Sequence, residues 1–258
     1  MALRAVFDAM PAPLRDVAKS LYRSIRPADA EPMMYRIHLF EELMALAGRD
    51  RFHGARILEI GPRDGLDSKR LAALGPSELV MIELPEKQGV TAPWVDTIPP
   101  PKRYIETNLM YMSRAELDAL GRFDLVWCTG VLYHNAEQLR MLRRLFTLLR
   151  PGGFLVLESA TLRGSRALRA QPVVQVYFPD TYRNTGTITH LPTAAAINAW
   201  LGMAGFEKVH PSRCFDKSNR DVAAGRMACI ATKAGDDDGA VYYGKSGLNP
   251  DYRLGDAT

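Results

Sequence analysis

The chain has 258 residues, 47% of them hydrophobic and 24% charged, with a formal net charge of +4. This composition supports a folded core and excludes global disorder, and so small a charge does not by itself demand nucleic acid. The apolar runs are short, such as Phe154 to Leu157, and none approaches the roughly 18 residues of a membrane-spanning helix. Met1 to Arg15 carries Asp8, Pro11 and Pro13 and lacks a continuous apolar stretch, so no signal peptide is expected. Cys128, Cys214 and Cys229 are odd in number and far apart, which gives neither a disulfide framework nor a zinc pattern. A reducing cytoplasm is the expected location. His38, His53, His134, His190 and His210 are dispersed without carboxylates at ligand spacing, so no metal site is expected.

No internal repeat or low-complexity tract is present. Residues 13–25 read as a short amphipathic helix, with Leu14, Val17, Ala18, Leu21 and Ile25 at helical spacing. Met33 to Ala47 reads as a second helix, ended by Gly48. Ala55 to Ile60 is a β-rich run that stops at Gly61. Asp67 to Leu74 is helical and ends at Gly75-Pro76. Glu78 to Leu84 is a second strand. Leu84 to Lys102, with five prolines and Trp94, reads as a long rigid loop. Lys102 to Leu109 is a third strand. Ser113 with Glu116 three residues later is a capping box for a helix to Leu120. Phe123 to Cys128 is a fourth strand. Asn135 to Leu149 is a helix with Leu139, Leu142, Leu145 and Phe146 on one face. Pro151-Gly152-Gly153 makes a turn into a fifth strand, Phe154 to Glu158. Ser159 to Pro192 is an insertion without clear period. Thr193 to Met203 is a helix capped by Thr193 and closed by Gly205. Phe206 to His210 and Arg226 to Lys233 are late strands, and the tail from Ala234 is expected to be mobile or draped over the surface.

Strands alternating with helices predict an α/β, doubly wound, mostly parallel sheet, and near-continuous apolar strands fit a sheet covered on both faces. The chain is expected to divide into an N-terminal helical cap at 1–50, a main domain at 51–233 and a C-terminal tail at 234–258.

The most informative segment is Ile57-Leu58-Glu59-Ile60-Gly61-Pro62-Arg63-Asp64-Gly65, a strand, a glycine-bearing turn and a helix start. In an open parallel sheet a ligand sits beyond the carboxyl ends of the strands, near the switch in strand order. Gly61 allows a sharp turn and Gly65 a close approach. The third glycine of a dinucleotide fingerprint is missing, and no Gly-Lys-Ser/Thr follows, which argues against NAD, FAD and a P-loop. Glu83, eighteen positions after Gly65 at the end of its strand, could take both hydroxyls of a ribose.

Glu59-x-Gly61-x-x-x-Gly65, Glu83, Phe123-Asp124-Leu125-Val126 and Leu149-Arg150-Pro151-Gly152-Gly153 together resemble the class I S-adenosylmethionine-dependent methyltransferases, over roughly residues 50–233. The resemblance implies a seven-stranded Rossmann-like sheet with N-terminal helices and an insertion after the fifth strand. It also implies roles. Glu59, Gly61 and Gly65 would line the methionine moiety. Glu83 would hold the ribose, with Leu84 beside the adenine. Asn108 and Leu109 would meet the adenine, unless Asn108 is only a turn residue. Thr129-Gly130 would lie near the sulfonium. The family usually has glycine where this chain has Arg63, whose side chain would either crowd the methionine end or pair with its carboxylate.

Gly130-Val131-Leu132-Tyr133-His134, Leu148 to Glu158, and Leu191-Pro192-Thr193 through Trp200-Leu201 to Gly205-Phe206 are similar to the tRNA wobble-uridine carboxymethyltransferases. That family uses carboxy-S-adenosylmethionine. By this resemblance Tyr133 and Arg226 would face the extra carboxylate. The family also uses a lysine upstream of the glycine loop, whereas this chain has none between Lys19 and Lys69. Related small-molecule methyltransferases share the Tyr-His element.

His134 is either a general base for an acceptor hydroxyl or a histidine that bonds the backbone at a helix start. Tyr177, Tyr182 and Arg183 lie in the insertion at 159–192, where an acceptor lid would be; the alternative is loop packing. Arg140, Arg143, Arg144, Arg150, Arg163, Arg166, Arg169 and Arg183 meet only Glu137, Glu158 and Asp180 over the same stretch. They are either a solvated face with an exposed loop or a dock for an anionic acceptor. The expected activity is methyl transfer from S-adenosylmethionine to a small-molecule acceptor. The alternatives are a tRNA-modifying enzyme using the carboxylated cofactor, and a non-catalytic module whose pocket Arg63 spoils. No membrane partner is expected, and the oligomeric state is open.

Overall fold

The computed structural model describes residues 34–162, 164–178, 189–215 and 225–236. The predicted helix at 13–25, most of the tail, Arg163, Asp180, Tyr182 and Arg183 lie outside them. The chain divides into two compact units, Met1–Ile37 and His38–Thr258, and the second carries the sheet.

The helices are α1 (Met34–Ala47), α2 (Leu66–Ala72), α3 (Gln88–Val95), α4 (Arg114–Leu120), α5 (Gln138–Leu148), α6 (Arg166–Arg169) and α7 (Ala194–Ala204). The strands are β1 (Arg56–Ile60), β2 (Glu78–Glu83), β3 (Lys102–Glu106), β4 (Phe123–Thr129), β5 (Leu149–Ala160), β6 (Val174–Val176), β7 (His190–Pro192), β8 (Lys208–Pro211) and β9 (Arg226–Thr232). Seven of them form one sheet in the order β3-β2-β1-β4-β5-β9-β8. The pairs among β1 to β5 are parallel, whereas β9 runs antiparallel to both β5 and β8. The doubly wound sheet expected from the alternation is therefore present. Its strand order reverses between β1 and β4.

Every residue of β4 is buried, and four of the five in β1. This is why these strands read as apolar runs rather than alternating ones. The core packs Leu58, Val80, Val126 and Leu157 of the sheet with Leu142, Leu145 and Phe146 of α5 and Ile197 and Leu201 of α7. Phe146 meets Phe206 edge-on, with ring centres 5.2 Å apart. The three cysteines are buried and unbridged. Burial raises the thiol pKa of Cys214 and of Cys229 to about 12.

Four predicted elements need correction, the first being the turn at 151–153, which lies inside β5. The proline-rich loop contains α3, and Pro93 lies inside it near its end. There its missing N–H removes only one bond of a short helix. The third strand stops at Glu106, because the Asn108 side chain accepts from Met110 N and starts a 3₁₀ turn over Leu109–Tyr111. The insertion, read without a clear period, holds β6 paired antiparallel with β7. The capping box at Ser113 and Glu116 is formed, and Thr193 caps α7 through Ala196 N.

The arginine cluster also reads differently in three dimensions. Arg143 and Arg144 are 8% and 3% exposed. Arg143 donates to Ala204 O at 2.7 Å, and Arg144 donates to Leu109 O and Met112 O. Arg140 pairs with Glu137 and Arg150 with Asp124. Arg143 and Arg144 thus tie α5 to distant segments and belong to no solvated face, whereas Arg140 pairs locally on α5 and Arg150 stays 46% exposed beside Asp124. A helical wheel cannot show this, because the acceptors are main-chain carbonyls of distant segments.

Candidate cofactor and transfer site

Register builds the site. Ile60 stands opposite Ile82 of β2 and Cys128 of β4, so Gly61, Glu83 and Thr129 leave the sheet at one level beside the reversal point. Gly61 has φ 71°, and its N–H donates to Ile82 O at 2.9 Å. A β-carbon there would lie 2.6 Å from Val131 Cγ2, so the turn after β4 packs directly on the glycine loop.

Arg63 takes φ 35°, an unusual conformation for a residue with a side chain. Two bonds hold it. Its N–H donates to Glu83 Oε2 at 3.2 Å, and its carbonyl accepts from Trp94 Nε1 at 2.7 Å. Arg63 is exposed, and its backbone braces the loop. Gly65 is also left-handed at φ 70°, and a β-carbon would meet the Trp94 ring at 2.4 Å. Trp94 therefore covers the glycine loop itself.

Glu83 is 6% exposed. Its Oε1 accepts from Leu84 N at 2.8 Å and its Oε2 from Arg63 N. Among the described residues no cation pairs with it. A buried carboxylate with two backbone donors retains acceptor positions, because its two oxygens offer about four lone-pair sites. A ribose diol, which donates two hydrogen bonds, fits this group. Leu84, half-buried, follows it. Asn108 Oδ1 accepts from Met110 N in its own turn. Leu109 is 4% exposed and packs in the core cluster, so its side chain serves the core.

Behind the loop lies a polar network in which sequence reasoning missed Asp67. Glu59 is 2% exposed, and Ser68 Oγ donates to its Oε2 at 2.6 Å. Asp67, 3% exposed, accepts from Trp127 Nε1 at 3.0 Å and Thr129 Oγ1 at 3.4 Å, and pairs with Arg70. Asp67 thereby links α2 to the end of β4. No sequence period marks it, because its partners are 60 and 62 residues away.

On the far side of β4, Gly130 N donates to Glu158 O. Tyr133 and His134 sit half-buried on a 3₁₀ turn, Leu132–His134, with ring centres 4.0 Å apart. Gln138, 3% exposed, donates to Leu132 O and to His190 O, which ties this turn to β7 of the insertion. Arg226 donates from Nε and Nη2 to the two oxygens of Glu158, at 2.5 and 2.7 Å. Its guanidinium carbon lies 5.7 Å from the Tyr133 ring centre. Tyr177 is half-buried beyond β6, where its N–H donates to Thr189 O. The structure thus gathers Glu59, Gly61, Arg63, Gly65, Glu83, Thr129 and Gly130 at one corner, with Tyr133, His134 and Arg226 adjoining. At the opposite strand ends Asp124 accepts from Arg56 N and pairs with Arg150, far from this corner. Among the described residues no group of three or more metal-ligating side chains occurs, and no helix is long and apolar enough to cross a membrane.

The methyltransferase-domain family matches residues 34–211. A tRNA U34 carboxymethyltransferase of Syntrophotalea carbinolica is 32% identical over 169 residues, 64% of this chain and 48% of that protein. One of Ectopseudomonas mendocina is 32% identical over 176 residues, 66% of this chain and 49% of that protein. The chain therefore spans about half the length of these curated relatives. Among solved structures, the N-terminal domain of EvdMO1 in the presence of SAH and D-fucose superposes with a TM-score of 0.58 at 21% identity, covering 80% of this chain and 84% of that one. An S-adenosylmethionine-dependent methyltransferase from Mesorhizobium loti gives 0.55 at 17% identity, covering 76% and 97%. In fold and in sequence, the chain belongs to the methyltransferase-domain family, the S-adenosylmethionine-dependent class that its glycine loop and Glu83 resemble.

Proposed function

We propose that the chain transfers a methyl group from S-adenosylmethionine to a small-molecule acceptor. The observation that carries the cofactor half is Glu83, a buried carboxylate beside the glycine loop with two backbone donors and no cation among the described residues. Glu83 holds the ribose, while Glu59 and the Gly61–Gly65 loop shape the methionine end. Thr129 and Gly130, braced by Asp67 and Glu158, border the reacting centre. The cofactor supplies an already activated methyl group, so the chain's own task is alignment and exclusion of water. His134, its ring tilted against that of Tyr133, takes a proton from an acceptor that must lose one. Tyr177 and the β6–β7 pair, tied to the His134 turn through Gln138, face the acceptor.

The small-molecule half rests on the arginines. Arg143 and Arg144 donate to main-chain carbonyls within the fold, which takes these two out of an RNA dock. The second reading, carboxymethyl transfer to tRNA, is favoured by the Arg226–Tyr133 contact and by the names of the relatives. Methyl-labelled S-adenosylmethionine, offered with bulk tRNA and with a low-molecular-weight cell extract, decides between them. Label is expected in the dialysable fraction. Label only in tRNA, or transfer only from the carboxylated cofactor, would overturn the small-molecule reading.

A further inference from the structure

We propose that Trp94 is a positioning residue for the cofactor, acting on Glu83 through the main chain of Arg63. The proposal rests on the cofactor reading above. Arg63 sits at φ 35°, a conformation that a residue with a side chain rarely holds unaided. Both of its main-chain polar groups are bonded. The N–H donates to Glu83 Oε2 at 3.2 Å, and the carbonyl accepts from Trp94 Nε1 at 2.7 Å. The indole also lies against Gly65, where an added β-carbon would fall 2.4 Å from Trp94 Cε3. Trp94 therefore bonds the glycine loop at Arg63 and packs on it at Gly65.

Trp94 can brace the loop because α3 is itself anchored to β3, the edge strand of the sheet. The hydroxyl of Thr91, a buried residue of α3, lies 2.7 Å from the Tyr104 hydroxyl of β3. Lys102 Nζ, at the start of β3, donates to Val95 O and Ile98 O. The strand thus holds the helix, the helix holds the indole, and the indole holds the Arg63 peptide. The consequence falls on Glu83. Leu84 N bonds its Oε1 and Arg63 N its Oε2, so both carboxylate oxygens are aimed before a ligand arrives. Without the indole N–H, Arg63 relaxes toward ordinary backbone angles and carries its own N–H off Oε2. A ribose diol then meets a carboxylate that must be ordered on binding, and affinity falls.

The experiment titrates S-adenosylhomocysteine calorimetrically into wild type, Trp94→Phe, Glu83→Ala and the double variant Trp94→Phe/Glu83→Ala. Phenylalanine keeps an aromatic ring beside Gly65 and removes the donor. Trp94→Phe is expected to weaken binding about fivefold when Glu83 is present. It is expected to weaken binding less than about twofold in the Glu83→Ala background, where the path to the ribose is already cut. A role confined to packing on the loop would give the same loss in both backgrounds. Equal losses, or no loss in either, overturn the proposal. If Trp94→Phe does not fold, wild type decides. Coupling is reciprocal, so S-adenosylhomocysteine must slow hydrogen exchange at the Trp94 indole N–H by a similar factor, and an unchanged rate overturns the proposal. Failure of the underlying reading looks different. Wild type would then not bind S-adenosylhomocysteine, or Glu83→Ala would bind it as well as wild type.

Discussion

The corner where β1, β2 and β4 end and the hairpin of β6 and β7 are built in opposite ways. At the corner, Glu59, Asp67, Glu83 and Thr129 are all buried and bonded to neighbours from other elements. In the hairpin, Val174, Val176 and Phe178 are 38%, 60% and 90% exposed. A pocket for a fixed cofactor must hold its polar groups in advance, which requires cross-links between elements. A surface that meets a variable acceptor can be left open. On the proposed reading, the buried cross-links lie on the cofactor side and the open surface on the acceptor side.

Substitutions at the two regions should therefore differ in scale. The largest effect is expected for Gly61→Val, whose β-carbon meets Val131 and whose φ of 71° is left-handed. It should lose about 3 kcal/mol of stability in denaturant titrations and all measurable cofactor binding. Wild-type affinity in that variant would remove the loop from the site. Asp67→Ala leaves the buried Trp127 indole N–H and the Thr129 hydroxyl without their acceptor. Unfolding by urea should show a loss of about 2 kcal/mol. A neutral result would mean that the link between α2 and β4 is not structural.

A smaller effect is expected at the cap of α4. Ser113→Ala should cost about 1 kcal/mol at neutral pH. Bonds from the Ser113 backbone and side chain hold the Glu116 carboxyl below its usual pKa. A depressed folded-state pKa means stability that is present above the unfolded value and lost as pH falls through the folded one. The Ser113→Ala penalty should shrink when melting is repeated from neutral pH down to pH 3. The smallest effect belongs to the hairpin. Phe178→Ser should change stability by less than about 0.5 kcal/mol. A large destabilisation would show that the hairpin is as tightly integrated as the corner, and the contrast would fail.

The same contrast explains what the sequence could and could not reveal. The alternation of strands and helices, the glycine turn and Glu83 at its strand end were legible, because each rests on periodicity or on fixed spacing along the chain. Thr193 and Ser113 declared their helix starts for the same local reason. Asp67, Trp94 and Glu158 did not show, since their roles depend on partners brought near only by the sheet. The arginines of α5 misled in one direction. Alone they suggest a charged face, whereas their acceptors are carbonyls such as Ala204 O and Leu109 O. The prolines around α3 misled in another, since a short helix tolerates Pro93 near its end. The hairpin stayed hidden because β6 and β7 are only three residues each, too short for an alternating pattern to register.

The most direct test of the central claim is a calorimetric titration of wild type and Glu83→Gln with S-adenosylhomocysteine. The amide keeps the size of the side chain but sets an NH₂ group against the N–H of either Arg63 or Leu84, and it removes the charge that a ribose diol would meet. Wild type should bind, and Glu83→Gln should bind about ten- to a hundredfold more weakly with its melting curve little changed. Equal affinity in the two proteins would contradict the assignment of the cofactor to the corner where β1, β2 and β4 end.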